Sequence, residues 1–344
     1  MFAPFARYAA AFLAAIALNA CAKPAPCADS STPAYFDNTG HPDAWSGGAR
    51  MIPIDTPKGD FKVWVKRVGN NPTLKVLLLH GGPAVPHDYM EAMDAFLPAA
   101  GIEYYYYDQL GAGNSDQPHD DSLWTTDRFV DEVEQVRTAL GLTKDNFCLF
   151  GQSWGGLLAI EYALRHQDHL KCLVISNMMA SIPAYNEYAR TVLMPQLRPQ
   201  DLATIQRLEA EHKTGDPRYM GILVPQFYEK HFLRRPAADW PEPVNRAFAK
   251  ENEHIYTLMQ GPSELGASGR LANWDRFDDL KRIRVPTLVI GAKYDTMDPA
   301  YMEKMAKQLP DGEYAFMANG SHLAMYDDQQ RYFAALVAFL RRQE

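Results

Sequence analysis

Short apolar runs alternate with amphipathic stretches along most of this chain, and that alternation sets the expected fold. Lys75–Leu79, Glu103–Tyr107, Phe147–Phe150, Cys172–Ile175, Thr287–Ile290 and Glu313–Met317 are mostly apolar from end to end, as parallel strands buried on both faces are. Arg50–Ile54 and Phe61–Val68 flank Thr56-Pro57-Lys58-Gly59-Asp60 and read as a β-hairpin. Between the runs, Phe129, Val130, Val133, Val136 and Leu140 recur at helical spacing, with Thr125 or Thr126 placed to cap the helix. Tyr332, Phe333, Leu336, Val337, Phe339 and Leu340 predict a C-terminal helix whose basic end is Arg341-Arg342. Strand–helix alternation of this kind predicts an α/β fold with a mostly parallel central sheet and helices on both faces.

One interval breaks the rhythm. From Ser181 to Leu271 no buried strand is evident, but helical patterns such as Leu202, Ala203, Ile205 and Leu208 are. A helical cap over residues 181–271, inserted into a core of residues 50–180 and 272–344, is therefore expected. Caps of this kind cover the carboxyl ends of strands, where α/β sheets bind ligands. Residues 22–49, rich in Pro, Ser, Asp and Gly, read as a linker or tail.

The first 21 residues read as a signal peptide. Arg7 precedes Tyr8–Leu18, an apolar stretch short for a bilayer span but suited to a signal core. Leu18-Asn19-Ala20-Cys21 resembles a bacterial lipobox with Cys21 as the lipidated residue; Asn19 is unusual there, and plain cleavage near Ala20 or Ala22 is the alternative. The expectation is an exported protein, periplasmic or held at the membrane only through a lipid on Cys21.

Composition narrows the function classes. The chain of 344 residues carries a formal net charge of -8 without a basic block, which argues against a nucleic-acid partner. Its 4 cysteines do not make a disulfide scaffold. Cys148 and Cys172 sit in apolar strand-like runs and are expected as small buried hydrophobes, a bridge between them being the alternative. No H-E-x-x-H occurs, and His166 and His169 read as a solvated helix end, so neither a metal nor a cofactor is expected.

The chemistry centres on Gly151-Gln152-Ser153-Trp154-Gly155-Gly156, between an apolar strand and a helical stretch. A G-x-S-x-G spacing is short enough for chance to supply; its strand–turn–helix setting is what makes Ser153 the expected nucleophile. An activated serine needs a base, a group orienting that base, and donors for the oxyanion. The acid should follow a later strand, where Asp295 and Asp298 compete; Asp298 precedes Pro299 and reads as a helix N-cap, which favours Asp295. His322 is the one histidine C-terminal to Asp295 and is the expected base. The oxyanion donors should be the Trp154 N–H and one from His80-Gly81-Gly82-Pro83, with Gly82 preferred.

Four separate motifs then resemble one family. His80-Gly81-Gly82-Pro83 with His87-Asp88-Tyr89, Tyr107–Asp116, Gly151–Gly156, and Gly320-Ser321-His322-Leu323 are similar, in order, to the proline iminopeptidases. The likeness runs from about residue 50 to the C-terminus. It implies a serine α/β-hydrolase that releases an N-terminal proline from a peptide or aminoacyl-amide substrate through an acyl-enzyme. The family also contains amino-acid amidases, so an amidase or esterase with the same triad is the alternative; a non-catalytic peptide-binding lipoprotein is a more distant one. The family usually has glycine where Ala84 stands, and because alanine resists positive φ the loop is expected to differ here. The resemblance also implies cap-region glutamates that meet the substrate's amino terminus. Glu264, in Gly261-Pro262-Ser263-Glu264, is the first choice and Glu229 the second.

Overall fold

Four consecutive tyrosines, Tyr104 to Tyr107, show how the sheet is packed. Tyr105 and Tyr107 point into the apolar layer on one face, and Tyr104 and Tyr106 into the layer on the other. Such alternation is the two-residue period of a strand covered on both sides. The computed structural model describes residues 34–344, and the signal-like segment, Cys21 and residues 22–33 lie outside them.

Eight strands make one sheet: β1 (Ala49–Thr56), β2 (Gly59–Val68), β3 (Lys75–Leu79), β4 (Glu103–Asp108), β5 (Phe147–Gln152), β6 (Cys172–Ser176), β7 (Thr287–Ala292) and β8 (Gly312–Met317). Their order is β1-β2-β4-β3-β5-β6-β7-β8, antiparallel from β1 to β4 and parallel from β4 to β8. The first two strands form the hairpin. β8, expected as a fully buried strand, is the sheet's edge, and five of its six residues are at least partly exposed.

The helices are α1 (Thr126–Ala139), α2 (Trp154–His166), α3 (Ile182–Tyr188), α4 (Pro199–Ala210), α5 (Pro217–Leu223), α6 (Glu242–Ala249), α7 (Glu253–Met259), α8 (Pro299–Gln308), α9 (Ala324–Asp327) and α10 (Gln329–Arg341). Thr125 caps α1, its hydroxyl accepting from the Arg128 N–H at 3.3 Å. Asp298 caps α8 by accepting from the Ala300 N–H at 2.9 Å, with Pro299 in the first turn. α2 opens with ten consecutive buried residues, Trp154–Ala163, so the segment behind Ser153 is core on every side.

Between β6 and β7 the chain leaves the sheet and runs through α3 to α7. The base of this insertion is closed by the Ile182 N–H to Trp274 carbonyl bond (2.8 Å), the Arg276 N–H to Ala180 carbonyl bond (2.8 Å) and the Ser181 hydroxyl on Asp275 (2.8 Å).

Two expectations are corrected. Residues 34–48, read as part of a tail, pack on the sheet. The Tyr35 hydroxyl donates to the Ile102 carbonyl at 2.7 Å, and Arg67 forms a buried ion pair with Asp43 at 2.6 Å. Cys148 and Cys172 are not separate hydrophobes. They stand opposite each other on β5 and β6, Cα atoms 4.5 Å apart, and their sulfurs are joined. Identical register on neighbouring strands, invisible in either run alone, brings them together.

Candidate active site

The carboxyl ends of β3, β5, β6 and β7 lie side by side, Leu79 against Gly151, Gln152 against Ser176 and Ser176 against Ile290. The loops that follow them converge on Ser153. That residue takes φ 55° and ψ -128° between β5 and α2, a conformation costly for any residue with a Cβ. Its neighbours explain why the turn is glycine-rich. A Cβ on Gly151 would stand 2.0 Å from the Gly155 carbonyl oxygen, and one on Gly155 would stand 2.1 Å from the Leu79 carbonyl oxygen. The tight turn is fixed by the Ser153 N–H donating to Ser176 O (3.0 Å) and by Ser153 O accepting from Gly156 (2.7 Å).

The Ser153 Oγ lies 2.9 Å from Nε2 of His322. The other ring nitrogen, Nδ1, lies 2.8 Å from Asp295 Oδ1. All three side chains are buried, Asp295 completely. Asp295 is itself held. Its Oδ1 accepts from the Met297 N–H (3.1 Å) and its Oδ2 from the Asn177 amide (2.6 Å). Burial works against a charged imidazole, but the neighbouring Asp295 carboxylate more than offsets it and holds the His322 pKa above the ordinary 6.5.

Side chains from the sequence motifs tie the surrounding loops together. The Tyr89 hydroxyl accepts from the Gly81 N–H (2.8 Å) and donates to Gln152 Oε1 (2.7 Å), while the Gln152 amide donates to the His322 carbonyl (3.1 Å). Gln109 bridges the Trp154 indole N–H (2.8 Å) and the His80 carbonyl (3.1 Å). His80 uses both ring nitrogens on backbone groups, Gly81 O at 2.9 Å and Gln109 N at 3.0 Å, and burial lowers its pKa to about 4. It is a neutral strut.

Gly82 follows this strut with φ 106° and lines the cavity above Ser153. Among the described residues, neither the Gly82 nor the Trp154 backbone N–H finds a protein acceptor. Ala84 takes φ 64° despite its side chain. The left-handed turn thus forms with alanine, at a cost of about 1–2 kcal/mol.

The cavity is walled by Val85, Tyr89, Phe232, Ala247, Phe248, Tyr256 and Leu323, and Glu264 lines it together with Ser153 and His322. The Glu264 Oε1 accepts from the Tyr256 hydroxyl at 2.7 Å, and its backbone N–H donates to the Tyr228 hydroxyl at 3.1 Å. Burial pushes the Glu264 pKa up, because a charge there is poorly solvated, and a cation entering the cavity would favour the ionised form. Glu229, the second choice, does not reach the cavity. Its carboxylate accepts from the Ala237 N–H at 2.7 Å and stays with that local turn. Two contributors had gone unread in the sequence, namely Asn177 and Tyr256. Asn177 had a legible signal in hindsight, being a polar residue directly after an apolar strand, where it takes φ 52°.

Residues 75–329 match the family model described as the alpha/beta hydrolase fold. A proline iminopeptidase of Flavobacterium johnsoniae is 56% identical over 290 residues, covering 84% of this chain and 97% of that protein. A proline iminopeptidase of Saccharolobus solfataricus is 34% identical over 273 residues, covering 79% and 86%. Among solved structures, VinJ superposes with a TM-score of 0.79 and 30% identity over 86% of this chain and 99% of that one. The proline iminopeptidase of Mycobacterium smegmatis does so with a TM-score of 0.74 and 30% identity, over 86% and 98%. With its sheet, its serine elbow and these relatives taken together, the chain belongs to the proline iminopeptidase family of α/β-hydrolases.

Proposed function

We propose that this protein is a serine aminopeptidase that releases an unblocked N-terminal residue, proline by preference, from peptides. The observation that carries the reading is Glu264, a buried carboxyl in the same apolar cavity as the Ser153–His322–Asp295 array. A cationic amine needs a charge-assisted partner when it leaves water, and the apolar wall of Val85, Phe232 and Phe248 suits a pyrrolidine ring. In this scheme His322 takes the Ser153 proton and Ser153 attacks the carbonyl carbon of the first residue. The Gly82 and Trp154 amides hold the oxyanion, and Asp295 holds the ring and its charge. The leaving amine then takes the proton back from His322, and water, deprotonated by the same ring, releases the acyl group.

Glu264→Gln keeps the shape and the acceptor for Tyr256 but removes the charge. Turnover of a prolyl arylamide with a free amine is expected to fall about tenfold to a hundredfold more than turnover of a simple ester. Parallel kinetics on the two substrates check this; equal losses would remove Glu264 from substrate selection, and a wild-type enzyme indifferent to blocking of the amine would point to an esterase or general amidase.

We further propose that the protein is exported. Support comes from the Arg7 and Tyr8–Leu18 pattern and from the Cys148–Cys172 bridge, which suits an oxidising compartment. The mature protein's mass is expected to begin near residue 21, with a lipid on Cys21 if the lipobox-like segment is used; a mass including Met1 in membrane and periplasmic fractions would overturn it.

A further inference from the structure

His231, a residue of the cap, is bonded to the loops of both Asp295 and His322. It lies in the last turn of the helical segment Val224–Phe232, which continues α5. Its backbone carbonyl accepts from the His322 N–H at 3.0 Å. Its ring Nδ1 lies 2.9 Å from the Tyr294 carbonyl oxygen, which belongs to the peptide that carries Asp295. Among the described residues no other group donates to that carbonyl. The neighbours of His231 repeat the pattern. The Phe232 carbonyl accepts from the Leu323 N–H and the Ser321 hydroxyl, both at 2.9 Å. The Phe232 ring walls the cavity, with its centroid 5.4 Å from that of His322. Arg234 donates to the Asn319 carbonyl at 2.8 Å and lies 3.7 Å over the Tyr294 ring.

The His231 side chain is buried, and its Nε2 lies 3.0 Å from Gln196 Oε1 in the cap. Asp295 favours a charged ring, but burial first, then Lys230 and Arg234, outweigh it and hold the His231 pKa below 6.5. The neutral ring keeps its proton on Nδ1, where the acceptor is a main-chain carbonyl that cannot turn; Gln196 is exposed and can. The Tyr294–Asp295 peptide is thus gripped from two sides, its carbonyl by His231 and the Tyr294 N–H by the Gly320 carbonyl at 3.0 Å. The carboxylate of Asp295 has its own partners in Met297 and Asn177, but these orient the side chain and leave the peptide free.

We propose that His231 is a positioning residue of the reaction, through which the seating of the cap sets the distance between Asp295 and His322. The inference rests on the serine mechanism given above. His231 touches neither substrate nor the reacting atoms. It acts by holding the acid's peptide with its ring and the base's N–H with its carbonyl, so that both loops take their place from one cap residue.

The test compares wild type with His231→Leu, His231→Asn and His231→Gln on a free-amine prolyl arylamide and a short acyl ester, with kcat taken per site labelled by a fluorophosphonate. All three variants keep the backbone carbonyl under the His322 N–H. Asparagine places an amide nitrogen near the position of Nδ1 and can still donate to Tyr294; glutamine reaches the position of Nε2 instead, and leucine donates nowhere. His231→Leu and His231→Gln are expected to lose about tenfold to a hundredfold in kcat on both substrates, with KM within about twofold of wild type. His231→Asn should recover most of that loss. The pH profile supplies a readout that a merely structural role would not move. The acidic groups around His322 are Asp295, Glu264 and Asp327, and no variant alters them. A looser Asp295 supports the imidazolium less, so the acid limb of kcat/KM should move to lower pH in the leucine and glutamine variants and stay in place with asparagine. A kcat per labelled site near wild type in His231→Leu, or an asparagine variant no better than the glutamine one, overturns the role. Should His231→Leu fail to fold, the comparison of asparagine with glutamine decides alone. If wild type hydrolyses the ester but not the arylamide, the aminopeptidase reading fails, and the ester series still decides on His231.

Discussion

Replacing Ser153 by alanine is expected to lower kcat on a free-amine prolyl arylamide about a million-fold, leaving only the residual catalysis of binding and oxyanion contacts. The expectation follows from what Ser153 does and does not contribute to the structure. Its hydroxyl makes one hydrogen bond, to His322 Nε2 at 2.9 Å. The backbone at φ 55° is held by main-chain bonds from Ser153 to Ser176 and Gly156, and these survive the substitution. Alanine carries the same Cβ, so the strain of the turn is unchanged. The folded state should therefore lose little, and thermal unfolding should stay within a few degrees of wild type, about the shift of 1 kcal/mol in a domain of this size. Steady-state kinetics, circular dichroism melts and the loss of fluorophosphonate labelling check the three parts together. A folded variant that keeps a tenth of the wild-type rate would take Ser153 out of the chemistry.

Where a residue's role is set by local backbone geometry, the sequence displays it. The strands of the core are legible because each is apolar on both faces, and the serine elbow because Gly151 and Gly155 leave no room for a side chain. The ordering of Ser153, Asp295 and His322 along the chain is likewise a consequence of parallel strands delivering their carboxyl ends to one edge. What the sequence hides is register and long-range partnership. Cys148 and Cys172 look like two hydrophobes until β5 and β6 are aligned. Glu229 and Glu264 both sit in cap segments. Only the fold shows the first turned to the Ala237 N–H and the second lining the cavity beside Ser153. Ala84 misleads in the other direction. Its intrinsic preference argues against a left-handed turn, yet φ 64° is imposed by a loop held through the Tyr89–Gly81 bond and, at Ala84 O, by Asn252. Tertiary context outweighs a penalty of about 1–2 kcal/mol.

Asp295→Asn is expected to cost about ten-thousand-fold in kcat/KM, with little change in the position of the three side chains. The amide nitrogen has no good place to go. Set toward His322, it faces the Met297 N–H, a donor against a donor, and forces the imidazole into the tautomer whose Nε2 carries the proton toward Ser153. Set toward Asn177, it faces that residue's own NH2 group, whose reversal would break its contacts with the Ser176 hydroxyl (2.7 Å) and the Ser321 carbonyl (3.2 Å). Either way the charge that stabilises the imidazolium is gone. The pH profile separates this from simple misfolding. In wild type the Asp295 carboxylate outweighs burial and holds the His322 pKa above 6.5, and the ring must be neutral to accept the Ser153 proton. Activity is therefore expected to be lost as pH falls through a value above 6.5, with a plateau on the alkaline side. Removing the Asp295 charge leaves burial as the dominant influence, and burial disfavours the charged ring, so the acid limb of the residual activity should move to lower pH. A pH series of kcat/KM for both proteins reads the displacement directly. An acid limb that stays in place in Asp295→Asn would mean that another group sets it, and a rate near wild type would assign the orienting role to Thr296, whose hydroxyl lies 3.1 Å from the same His322 nitrogen.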